Sequence, residues 1–91
     1  VTFKIMEMLE QQGAKVEYND PYIPTIKSRR EYKQFIGKQS VALEELNSYD
    51  LTVILTDHSV YDFDNIVKYS NQVIDTRNAC GNIKSDKIIK A

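Results

Sequence analysis

The chain has 91 residues, 42% of them apolar and 27% charged, which is globular composition and long enough for one small domain. Twelve basic and thirteen acidic side chains leave a net charge of −1, without the basic excess that a nucleic-acid module carries. A single cysteine rules out an internal disulfide and points to a reducing compartment, and no apolar run reaches the roughly 18–20 residues of a membrane span.

The first residues set Phe3, Ile5, Met6, Met8 and Leu9 among Lys4, Glu7, Glu10, Gln11 and Gln12. Phe3, Met6 and Leu9 repeat every three positions, and Ile5 and Leu9 are four apart, so the pattern predicts an amphipathic helix with one buried stripe. Gly13 ends it, because glycine enters the left-handed region without a Cβ penalty. The chain begins inside this pattern, and we expect the natural protein to extend upstream. Lys15 to Tyr18 alternates polar and apolar, which predicts a short strand. Asn19-Asp20-Pro21 stops it, and Pro24 reinforces the break.

Residues 22–39 have weak periodicity and many charges. They predict a long loop with a helical turn near Arg30–Phe35. The basic cluster Lys27, Arg29, Arg30 and Lys33 is either a solvated loop or a weak anion-attracting one. Ser40 then suits an N-cap, with Val41, Leu43 and Leu46 in a helix to about Ser48. Leu51, Val53, Ile54 and Leu55 form a near-continuous apolar run that suits a strand covered on both faces. Asp62 can cap a helix holding Phe63, Ile66 and Val67 and ending near Ser70. A strand is expected over Gln72–Asp75. The tail 80–91 is polar until Ile88-Ile89, which either adds an edge strand or docks loosely. Helices alternating with strands predict an α/β fold, with a short, mostly parallel sheet in a single domain over 1–91.

In open parallel sheets ligands bind beyond the carboxyl ends of the strands. Three polar clusters fall there: Asn19-Asp20, Thr56-Asp57-His58 and Asp75-Thr76-Arg77-Asn78. Arg77 is the candidate binding residue, because a guanidinium can grip a phosphate with two hydrogen bonds. It is equally able to pair with Asp75 or Asp57 and tie the loops together. His58, the lone histidine, suits a loop partner of Asp57 or of backbone better than a catalyst. No metal site is expected, since no second histidine and no cysteine stands at ligand spacing. Cys80 lacks a nucleophile's signature. Gly13, Gly37 and Gly81 are too scattered to draw a glycine-rich phosphate loop.

Taken together, "AKVEYNDPYIP", "YDLTVILTDHSVYDFDNI" and "QVIDTRNA" resemble, in order and rough spacing, the C-terminal domain of the UDP-glucose/GDP-mannose dehydrogenase family, over residues 1 to about 79. The Thr76-Arg77-Asn78 ending looks closest to the branch that oxidises UDP-N-acetylhexosamines. The resemblance implies a small Rossmann-like three-layer domain that lacks the family's first strand. The remaining strands would then re-pair, leave an open edge, or borrow a strand from another copy in a homo-oligomer. It also implies a cytoplasmic enzyme of polysaccharide synthesis that takes a sugar C6 alcohol to a carboxylate. NAD, the catalytic cysteine and the dimer contacts would lie in N-terminal and central domains absent here. The fragment alone would be inactive and bind UDP-sugar weakly, and Arg77 is the one residue carried over as substrate-binding. The alternative is an independent flavodoxin-like or receiver-like interaction domain, with Asp57 accepting a phosphate.

Overall fold

A computed structural model describes residues 2–91 and divides them into two compact units, residues 2–41 and 42–91. The first opens with helix α1, Thr2–Gln11. It ends as the glycine predicts. Gly13 takes φ +94°, its N–H donates to the Glu10 carbonyl, and the Ala14 N–H donates to the Leu9 carbonyl. That pair of bonds is a Schellman cap, which satisfies carbonyls the helix leaves open. The apolar stripe is only partly covered: Met6 is buried, Phe3 and Ile5 are half-buried, and Leu9 is exposed.

Around Met6 gather the buried Ile26 and Phe35, with Phe3, Val16, Tyr18 and Tyr32 packed against them. Three rings form a stack, with Phe3 centred 6.0 Å from both Tyr32 and Phe35. Tyr32 stands at φ 56°, ψ 43°, a left-handed conformation costing an L-residue on the order of 1–2 kcal/mol. The turn it starts, a 3-10 turn over Lys33–Phe35, places Phe35 fully out of water, so burial of that ring offsets the cost.

Two expectations in this unit are corrected. Lys15 to Tyr18 is not a strand. Its carbonyls are met singly: the Lys38 ammonium donates to Val16 at 2.8 Å and the Val41 N–H donates to Tyr18 at 2.9 Å, with no ladder between them. Ser40 is not an N-cap either. Its hydroxyl accepts from the Asp20 N–H at 3.0 Å, so the helical segment begins later, at Leu43, after an uncapped Ala42.

The second unit holds that segment, a 3-10 helix over Leu43–Ser48, then strand β1 (Thr52–Ile54), helix α2 (Phe63–Tyr69), strand β2 (Val73–Asp75) and strand β3 (Ile88–Lys90). The sheet order is β1-β2-β3 and both pairings are parallel, with Ile54 beside Asp75 and Asp75 beside Lys90. The α/β fold with a short parallel sheet is therefore present. The end of the tail adds the edge strand rather than docking loosely. β1 is the other edge among the described residues, and it is less covered than its apolar run implies: Ile54 is buried, while Val53 and Leu55 are half-buried.

One core unites Leu46, Ile54, Ile66, Val67, Val73 and Cys80. Asp62 caps α2 as expected, its carboxylate accepting from the Asn65 N–H. At the other end Ser70 is buried but satisfied, donating to the Ile66 carbonyl and standing 2.9 Å from the Thr52 hydroxyl. Lys87 donates to the Val67 and Lys68 carbonyls, placing a cation on the helix's negative end.

Replacing Asp62 with alanine leaves the first turn of α2 uncapped. We expect a loss of about 1 kcal/mol in urea unfolding, and about half that or less for Asp62→Ser, which can still cap.

Candidate functional site

β1 and β2 run in parallel, so the segments that follow them emerge at the same end of the sheet. Thr76 fastens the two together. Its N–H and its hydroxyl both donate to the Ile54 carbonyl, at 3.2 and 2.7 Å. Two of the three clusters expected from the sequence, Thr56-Asp57-His58 and Asp75 to Asn78, thus share one rim.

Asp75 organises that rim from below. It is the last residue of β2, 1% exposed, and its carboxylate accepts from the backbone N–H groups of Arg77 (3.0 Å), Ala79 (3.0 Å) and Cys80 (2.8 Å). Burial alone would raise its pKa, but the hydrogen bonds from Cys80, Ala79 and Arg77 outweigh it and hold the group below the usual carboxylate range. The loop thereby closes on a fixed negative charge. Asn78 sits within it at φ 52°, a conformation asparagine tolerates better than most residues. Lys90, at the end of β3, reaches across to the Asn78 side-chain oxygen at 2.9 Å and the Gly81 carbonyl at 2.7 Å.

Arg77 rides on top of this loop. Its backbone is held by Asp75, yet its side chain is 55% exposed. The guanidinium lies 3.9 Å from the Asp57 carboxylate, itself 57% exposed. A pair so open to water is worth about 0–1 kcal/mol and is screened by salt. Of the two partners the sequence left open, Asp57 meets the guanidinium, while Asp75 bonds the arginine's main chain. His58 stacks at a tilt on Tyr61, centroids 5.7 Å apart, and its carbonyl accepts from the Tyr61 N–H.

Asn19 and Asp20 belong to the first unit. The Asp20 carboxylate accepts from the N–H groups of Tyr22 and Ile23, and the Asn19 amide donates to the Val41 carbonyl. Arg29 of the basic cluster lies over the Phe3 ring, 3.9 Å from its centre, so part of that cluster is engaged in packing. Cys80 is buried. Burial, then the negative charge of Asp75, pushes its thiol up to about 11, which disfavours the thiolate a nucleophile needs. Sequence reasoning passed over Asp75 as an anchor and Lys90 altogether. The signal for Asp75 was an acid closing an apolar strand just before a turn. Nothing local marked Lys90, whose partners are nine and twelve residues away.

The model of the UDP-glucose/GDP-mannose dehydrogenase family, UDP binding domain, matches residues 1–82. The chain belongs to this family. No curated protein and no solved structure matches it. Family membership makes it a nucleotide-sugar dehydrogenase domain, and the family's dehydrogenases depend on NAD. The described residues do not fit that dinucleotide. A dinucleotide's phosphate cradle is a closely spaced run of glycines between a strand and a helix, whereas Gly13, Gly37 and Gly81 lie far apart in the chain and Gly13 follows a helix. Nor, among the described residues, does any group of three His, Cys, Asp or Glu stand together as a metal site. Among the described residues no helix is long and apolar enough to cross a membrane.

Two outcomes follow from Asp75. Asp75→Asn trades one carboxylate oxygen for an amide that cannot accept from the Cys80 N–H, and should lose about 3 kcal/mol at pH 7 in urea unfolding. Because the folded-state pKa is depressed, this stabilisation is present above the unfolded value. It is lost as pH falls through the folded one, so wild type and variant should converge progressively below about pH 4. The Cys80 thiol, in turn, should stay unlabelled by a thiol reagent at pH 8 and react once denaturant opens the fold.

Proposed function

We propose that this chain is the UDP-sugar-binding domain of a nucleotide-sugar 6-dehydrogenase, and that Arg77 holds the diphosphate. The observation that carries the reading is the state of that side chain: a guanidinium at the carboxyl end of the sheet, on a loop whose N–H groups Asp75 holds, and paired among the described residues with an exposed carboxylate 3.9 Å away. A diphosphate can displace Asp57 at little cost and accept two charge-assisted bonds in its place. Thr76, locked to the Ile54 carbonyl, fixes the height at which the arginine leaves the rim.

The rest of the reading extends the same idea. Other domains of the complete enzyme hold NAD and supply the nucleophile, since Cys80 is buried and its thiol is held neutral. The oxidised group is the sugar's C6 alcohol, carried to a carboxylate. The Thr76-Arg77-Asn78 ending supports a UDP-N-acetylhexosamine as substrate, and the product would serve cytoplasmic polysaccharide synthesis. In the receiver-like alternative Asp57 takes a phosphoryl group. That reading lacks support beyond the exposure of Asp57, and family membership favours the first.

The chain alone should bind UDP weakly, because other domains complete the enclosure. In an NMR titration with UDP, Arg77→Met should weaken binding about tenfold, the scale of one charge-assisted contact. Arg77→Lys, which keeps the charge without the fork, should fall between the two. Undiminished affinity in Arg77→Met would remove the assignment.

A further inference from the structure

The family match stops at residue 82, yet the rim is completed by residues beyond it. β3 pairs along β2, and the N–H of Ala91 donates to the Asp75 carbonyl at 3.0 Å. The same strand aims the Lys90 ammonium at the turn that carries Arg77, with the Asn78 side-chain oxygen at 2.9 Å and the Gly81 carbonyl at 2.7 Å. These two acceptors bracket the loop. One belongs to Arg77's neighbour, which stands in the left-handed region at φ 52°, and the other to Gly81, at φ 53°. Asp75 pulls the loop's N–H groups inward from one side, and Lys90 takes its oxygen acceptors from the other. A loop satisfied on both kinds of group has few alternative arrangements.

We propose that Lys90 is a positioning residue for Arg77: by clasping Asn78 and Gly81 it fixes the loop in the form that presents the guanidinium at the rim. The proposal rests on the reading of Arg77 as the diphosphate contact. It places a determinant of UDP affinity in the C-terminal segment, outside the matched region. Lys90 acts through the loop's conformation and not by touching the ligand, so the effect must be visible before any ligand is added.

The test uses the whole chain, UDP as the probe, and the variants Lys90→Met, Lys90→Arg and Arg77→Met. Lys90 is exposed, and methionine keeps most of its stem, so the fold should persist. Without ligand, Lys90→Met should shift the amide resonances of Arg77, Asn78 and Gly81 and speed hydrogen exchange across residues 77–81, while Val73 and Ile74 exchange as in wild type. With UDP, affinity should fall about fivefold as preorganisation is lost, and Lys90→Arg should recover most of it. The proposal is overturned if Lys90→Met leaves the loop amides unchanged. It is equally overturned if the loop loosens while affinity holds, or if Lys90→Met and Lys90→Arg lose affinity alike. Should Arg77→Met bind UDP as wild type does, the assignment of Arg77 fails instead. The ligand-free exchange of Lys90→Met still decides whether the clasp exists.

Discussion

A carboxylate removed from water needs donors, and in this protein the donors that Asp75 finds are the main-chain N–H groups of its own downstream loop. Burial of the ion is unfavourable by itself, so the loop must close around it for the strand to sit in the core. The arrangement has consequences on both sides. Within the core it places Cys80 beside a negative charge and keeps its thiol protonated. At the surface it leaves the arginine's side chain with nowhere to go but outward.

The exposed pairing of Arg77 with Asp57 makes sense on this basis. A tighter pair, or one between Arg77 and Asp75, would neutralise the guanidinium inside the protein. By assigning Asp75 to the backbone, the fold leaves the side chain with a partner it can exchange. Rigidity in the main chain and freedom in the side chain are thus separated between two neighbouring positions, as a site that captures and releases a charged ligand requires.

Much of this was legible in the sequence where the signal is local. Gly13 and Asp62 act through residues within a few positions of themselves, so helix ends could be read directly. The short β-branched runs around Ile54 and Val73 could likewise be read as strands from their own residues. Where the deciding partner is remote, local reading failed. Lys15 to Tyr18 has a strand's alternation but receives only isolated bonds from Lys38 and Val41, some twenty residues on. Ser40 has a cap's chemistry but spends its hydroxyl on Asp20. Arg77 stood out because its type and place suffice to suggest a phosphate contact. Asp75 and Lys90, which build the platform beneath it, are defined by long-range geometry that spacing does not encode.

The place of β1 at the end of the strand order among the described residues has its own consequence. Exposed main-chain edges invite other chains to add strands, and here Leu51, 39% exposed, directly precedes the edge strand. Yet β1 is three residues long. So short a template offers too few rungs to hold a foreign strand against the entropy of ordering it, and this brevity protects the protein from fibrous self-association.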